Sequence, residues 1–97
     1  MSLIKWTEPA EDDLFELMAY FDQKLEPDVG RMLVGKIYGS TKILATFPQA
    51  GRQSILKGAR ELVIPHIPYF LVYRIFPDKV EILRVMHTSK LWTGVLK

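Results

Sequence analysis

Apolar side chains recur at two different periods along this chain, and the change of period divides it. From Ala10 to Phe21 the residues Ala10, Leu14, Leu17, Met18 and Phe21 fall three or four apart, with Glu11, Asp12, Asp13 and Glu16 between them. That is the spacing of one helix face, and it predicts an amphipathic helix of about 16 residues. Thr7 stands where an N-cap belongs, and Pro9 falls in the first turn, where its fixed φ is already suitable. Ahead of it, Leu3 to Trp6 is short and β-prone. Pro27 then opens a second helix with the stripe Val29, Leu33, Ile37, Ser40, Leu44 and Phe47, ended by Pro48 to Gly51. The two helices are expected to form a hairpin.

Beyond a loop from Pro48 to Arg52 the period falls to two. Glu61 to Ile64, Tyr69 to Phe76 and Val80 to His87 read as strands, the last two joined through Pro77 and Asp78, a good turn pair. Alternation puts Tyr69, Leu71, Tyr73 and Ile75 on one face and Phe70, Val72, Arg74 and Phe76 on the other, and groups Arg84 with Val80, Ile82 and Met86. Two helices cannot cover both sides of so small a sheet, so one face, carrying arginine and tyrosine, is expected to be left for a partner. Residues 88–97 read as a final turn or short arm beside the sheet. The fold class is α+β: β-α-α-β-β-β, a helical hairpin on one face of a small, mainly antiparallel sheet, in a single domain spanning 1–97.

Composition narrows the function classes. The chain has 97 residues, 48% of them hydrophobic and 25% charged, and no cysteine, so disulfides and thiolate metal sites are excluded. No apolar run is long enough to span a membrane and acidic residues follow within about ten positions of the N-terminus, so a cytoplasmic protein without a membrane role is expected. The net charge of +2 hides an asymmetry. Residues 1–28 hold eight carboxylates against Lys5 and Lys24, while most of the cations lie after residue 51. Such a basic half suits an acidic partner, either nucleic acid or an acidic protein segment, and equally a plain solvated face. The carboxylates of the first helix complement its dipole and are expected to form a capped, solvated face.

Catalytic chemistry is sparsely provided. Two histidines, His66 and His87, without cysteine or a zinc-ligand motif, predict no metal and no cofactor. Ser40, Ser54 and Ser89 lack a nucleophile-elbow context. What remains is a basic and aromatic set: Arg60, Tyr73, Arg74, Arg84, His87, Lys90 and Trp92. Such groups could cleave RNA, with arginines stabilising the phosphorane and histidine or tyrosine moving protons, or could bind an acidic protein segment without chemistry.

An ordered series of short matches goes further: Trp6, Ala10, Asp13 and Leu14; Phe47, Pro48 and Gly51-Arg52; Gly58 with Arg60-Glu61-Leu62-Val63; Pro68-Tyr69; Val72-Tyr73-Arg74; then Val80 to Val85, His87 and Trp92. With them the chain resembles the RelE/ParE superfamily of type II toxin–antitoxin toxins, and most closely its ParE branch. The resemblance covers nearly the whole chain and implies the same β-α-α-β-β-β arrangement. RelE-like members are ribosome-dependent mRNA endonucleases, but their five catalytic positions fall on Glu61, Val63, Phe70, Thr88 and Gly94 here, all changed. A carboxylate at a phosphate-contacting position repels the substrate.

The ParE branch, whose members poison DNA gyrase and are neutralised by a cognate antitoxin's C-terminal segment, fits better. The resemblance therefore implies a plasmid-stabilisation toxin that causes growth arrest, partnered with an antitoxin in a hetero-oligomer, with gyrase as target. Arg60, Arg74, Arg84, His87, Lys90 and Trp92 are the expected target- or antitoxin-binding residues; the motif matches support the first four, and charge and position the last two. The alternatives are an endoribonuclease built on Arg60, Tyr73, Arg84 and His87, acting with the ribosome on mRNA, and a degenerate toxin that only binds its antitoxin.

Overall fold

Thr7 turns the chain from strand to helix. It lies between β1 (Leu3–Trp6) and α1 (Glu8–Gln23), its Oγ1 accepts the Ala10 N–H at 3.4 Å, and its hydroxyl donates to the Ile82 carbonyl at 2.8 Å. One side chain thus caps the helix and ties it to the strand that carries Ile82. Leu25, in the left-handed region at φ 58°, bends the chain into α2 (Pro27–Thr46), which Pro27 starts. A single 3-10 turn (Pro48–Ala50) leads to β2 (Arg52–Gln53), β3 (Arg60–Val63), β4 (Tyr69–Ile75) and β5 (Lys79–His87). The computed structural model describes residues 2–89, so Lys90 and Trp92, with the rest of the expected C-terminal arm, lie outside the described residues.

The five strands form one mixed sheet in the order β1-β5-β4-β3-β2. β1 runs parallel to β5, pairing Leu3 with Lys79 through Trp6 with Ile82, and the other pairs are antiparallel. Both helices pack on one face. There Ala10, Leu14 and Leu17 from α1 and Leu33, Ile37 and Leu44 from α2 meet Leu71, Tyr73, Val80, Ile82 and Val85 from the sheet. Trp6 stacks at a tilt on Tyr38, with ring centroids 5.0 Å apart, closing the β1 end of that core.

The α+β class and the helical hairpin on one sheet face are as expected, while four local readings change. The segment after Gly51, read as loop, contains β2, a two-residue strand paired with Arg60 and Glu61. Opposite Val72 and Tyr73 of β4 the register of β5 slips, because Tyr73 pairs with Ile82 and Val72 with Arg84, leaving Leu83 as an extra residue. Such a bulge breaks strict alternation. Met86 therefore joins Leu83 in a second cluster, away from Val80 and Ile82.

That second cluster also overturns the expectation of an uncovered apolar sheet face. Phe70, Val72, Leu83 and Met86 are all buried, with Ala59 among them and Leu56 packed against them, both carried there by the segment between β2 and β3. Lastly, Phe47 does not complete the α2 stripe. It follows the helix as its C-cap, with the chain already turning into Pro48, and is 65% exposed.

Candidate functional site

Tyr73 is central to the end of the sheet where β2 and β3 lie. It is fully buried, donates its hydroxyl to the Pro48 carbonyl at 2.7 Å and accepts the Gly51 N–H at 2.9 Å. Burial pushes its pKa up, opposed by the Gly51 N–H and by the charge of Arg60. Arg60, its partner across β3 and β4, donates to the Gly51 carbonyl at 2.7 Å. These two residues therefore clamp the turn between α2 and β2.

Glu61 faces the other way and is almost wholly buried. It accepts Arg52 Nε and Nη2 at 3.3 and 3.2 Å through Oε1, and the Ser54 hydroxyl at 2.8 Å through Oε2. Beside it the β2–β3 segment encloses a recess of about 480 Å³ lined by Gln53, Ser54, Lys57, Gly58, Ala59 and Arg60. Arg74 reaches the rim, where its Nη2 lies 3.4 Å from the Lys57 carbonyl. Among the described residues Lys57, Arg60 and Arg74 have no carboxylate within ion-pair distance. Two of these three cations are held by main-chain carbonyls, so their charge is positioned yet uncompensated.

Arg84 and His87 belong to a different region. Arg84 donates Nε and Nη2 to the Asp13 carboxylate at 2.8 and 2.9 Å, and that contact raises its pKa further, against the opposing effect of burial. His87, at the end of β5, sets its ring edge-to-face against Tyr69, with centroids 5.0 Å apart. Its Nδ1 accepts the Ser89 N–H at 3.0 Å and lies 2.6 Å from Ser89 Oγ. Between α1 and these strand ends runs a groove of about 510 Å³, whose walls include Glu16, Tyr20, Phe21, Tyr69 and His87. Tyr20 and Tyr69 both line this groove, and the Tyr69 pKa is raised by burial and, to a smaller extent, by Tyr20.

The four motif-supported residues are thus not one cluster. Arg60 on β3 and Arg74 on β4 border the recess, while Arg84 and His87 lie on β5 near the groove, two strands and about 10 Å from Arg60 at ordinary strand spacing. The sequence reading missed Asp13, Lys57, Glu16 and Tyr20. Glu16 and Tyr20 lie four apart on one helix, a spacing that brings side chains together and could have singled out the pair. No group of three or more potential metal ligands occurs among the described residues.

Three comparisons with known proteins give the relatives of this chain. The family model described as the ParE toxin of the type II toxin–antitoxin system, parDE, matches residues 4–92. A Sinorhizobium fredii (strain NBRC 101917 / NGR234) protein named "Putative toxin Y4kP" is 43% identical over 93 residues, 96% of this chain and 95% of that one. The solved structure titled "Chromosomal ParDE TA system from P. aeruginosa" superposes with a TM-score of 0.82 at 26% identity, over 92% of this chain and 98% of the other.

Proposed function

The chain belongs to the ParE toxin family of type II toxin–antitoxin systems, and from that membership we propose that it binds and inhibits DNA gyrase without chemistry of its own. A cognate antitoxin neutralises it by laying its C-terminal segment on the toxin in a hetero-oligomer. This reading requires a protein that works in the cytoplasm.

The observation that carries the non-catalytic reading is the fate of the positions where RelE-like enzymes hold their RNA-cleaving cations. Glu61 is a buried carboxylate committed to Arg52 and Ser54, and Phe70 is buried in the second cluster. Neither can be turned toward a phosphate without unpairing a buried charge or opening the core, each costing several kcal/mol, roughly 3–5. The remaining candidates do not converge either: Tyr73 is inaccessible with its hydroxyl doubly bonded, and Arg84 is neutralised by Asp13.

The test adds the purified protein to gyrase with relaxed or supercoiled plasmid. Loss of supercoiling, or accumulation of cleaved DNA, is the expected result. If gyrase is unaffected and mRNA is cut in a translating extract, with cutting lost in His87→Ala, the endonuclease reading replaces this one. Expression that causes no growth arrest, from a protein that still binds its antitoxin, points instead to a degenerate toxin.

A further inference from the structure

The groove between α1 and the ends of β4 and β5 combines two chemistries that a cation needs. Its walls are rings: Tyr20 and Phe21 stand edge-to-face with centroids 5.0 Å apart, and Tyr69 and His87 repeat that arrangement opposite them. Its rim carries Glu16, which is exposed and makes no hydrogen bond or ion pair with a described residue. The charge of Glu16 acts on Arg84 in the direction that raises its pKa, after the larger effect of the Asp13 hydrogen bonds. A ring face attracts a cation, and a nearby carboxylate adds a directional partner for its N–H groups.

Two contacts already present use the same chemistry at the groove's margins. Lys24 Nζ sits 5.5 Å from the centre of the Tyr20 ring, and Arg84 docks in bidentate fashion on Asp13, one helical turn before Glu16. The groove has the volume for a further side chain, about 510 Å³. A planar guanidinium suits it better than an ammonium, because it can stack on a ring while its fork meets a carboxylate.

We propose that this groove seats an arginine side chain presented by the antitoxin's neutralising segment. The inference rests on the antitoxin reading above and adds the chemistry of one anchor point. Charge argues for the antitoxin over the target. α1 carries Glu8, Glu11, Asp12, Asp13 and Glu16 along its first nine residues, and that surface repels the phosphates that a DNA-bound enzyme would bring. Lys57, Arg60 and Arg74, which make no ion pair with a described residue, lie toward the β3 and β4 side of the sheet.

The first arm of the test titrates the isotope-labelled full chain with N-acetyl-arginine methylamide, with the uncharged isostere N-acetyl-citrulline methylamide as control, followed by NMR. Shifts confined to Tyr20, Phe21, Tyr69 and His87, seen with arginine and absent with citrulline, are expected. Glu16→Gln, an exposed substitution, should weaken the arginine effect about tenfold while leaving the fold intact. Equal response to citrulline, or shifts centred elsewhere, overturns the cation seat.

The second arm takes the product of the open reading frame flanking this gene as the candidate antitoxin and measures its binding by calorimetry. Its affinity should fall about tenfold in Glu16→Gln and also in Tyr20→Leu. If the affinity for gyrase falls instead while that for the antitoxin holds, the assignment of the occupant is wrong. A neighbouring gene product that fails to bind even the unaltered chain sinks the antitoxin reading itself, and the arginine titration still decides the chemistry of the groove.

Discussion

Asp13 on α1 closes the edge of the sheet that β1 leaves open by holding Arg84 on β5. The β1 ladder ends at Trp6 opposite Ile82. Just beyond, Asp13 Oδ2 accepts both Arg84 Nε and the Val85 N–H at 2.8 Å, while Oδ1 takes Arg84 Nη2 at 2.9 Å. The two side chains are only 11% and 23% exposed, so the pair is shielded from water far more than an ordinary surface ion pair. One carboxylate therefore satisfies a strand-edge donor, neutralises the cation at the bulge and pins the helix to the sheet.

Asp13→Asn should destabilise the chain by about 2–3 kcal/mol, below the full cost of breaking a deeply buried pair because water still reaches part of it. Arg84→Met should cost less, since Asp13 keeps the Val85 N–H. A double-mutant cycle on urea unfolding midpoints separates the two contributions, with a coupling of about 1–2 kcal/mol expected. Coupling near zero would mean that the pair is no stronger than an exposed one.

Tyr73 gives the fold a defined alkaline limit. Burial raises its pKa above the ordinary phenol value of about 10, so the folded state holds this proton more tightly than the unfolded chain does. The resulting stability is whole below pH of about 10 and is lost as pH rises through the higher folded value. Absorbance at 295 nm should show at least one tyrosine ionising late, together with unfolding. Tyr73→Phe should remove one late-ionising phenol, leaving the raised Tyr69, while costing about 1–3 kcal/mol at neutral pH, because the Pro48 carbonyl and Gly51 N–H lose their partner.

Two glycines should respond to alanine with opposite signs. A Cβ on Gly51 would lie 2.6 Å from both the Glu61 carbonyl oxygen and the Tyr73 hydroxyl, and the former is backbone that cannot swing aside. Gly51→Ala should therefore cost about 1–3 kcal/mol through overpacking. Gly35, within α2, has nothing within 4 Å of the same position. There alanine relieves the helix of glycine's backbone entropy and should add about 0.5–1 kcal/mol. Thermal unfolding of the two variants beside the parent checks both signs in one experiment.

What could be read from sequence follows the range of the interactions involved. Thr7, Pro9 and Pro27 act within one turn of themselves, and the helix starts they predict are those observed. The strands of the hairpin, Tyr69–Ile75 and Lys79–His87, come from alternation within a few residues and agree to within one position at each end. The bulge at Leu83 was invisible because nothing in its own sequence distinguishes it; it arises where β1 stops and Thr7 and Asp13 take over the edge. Asp13 itself looked like one more solvated carboxylate in a row of four. Only the packing of α1 on β5, 71 residues away in sequence, gives it a partner. Arg60, Arg74, Arg84 and His87 looked like one set because they share a motif series, whereas the strand order divides them between a recess and a groove.

The same division predicts where charge matters for the target. Arg74 and Lys57 meet at the recess rim, where the Arg74 guanidinium is held by the Lys57 carbonyl, and neither has a carboxylate within ion-pair distance among the described residues. A gyrase–DNA complex presents dense negative charge, which such a rim attracts over a Debye length. Arg74→Glu should raise the concentration needed for half-inhibition of supercoiling about tenfold or more at low salt, with the difference narrowing as salt rises. Reversal on the opposite surface, Asp12→Lys on exposed α1, should leave inhibition the same or slightly stronger. Asp12→Lys lies outside the core, and its unfolding free energy should stay within about 0.5 kcal/mol of the parent. Arg74→Glu sets a second carboxylate opposite Glu81 on β5 and should cost about 1 kcal/mol or less. Both variants therefore remain folded, and altered inhibition can be assigned to the contact itself. If Arg74→Glu inhibits as well as the parent at every salt concentration, the recess rim is not the surface that meets the target.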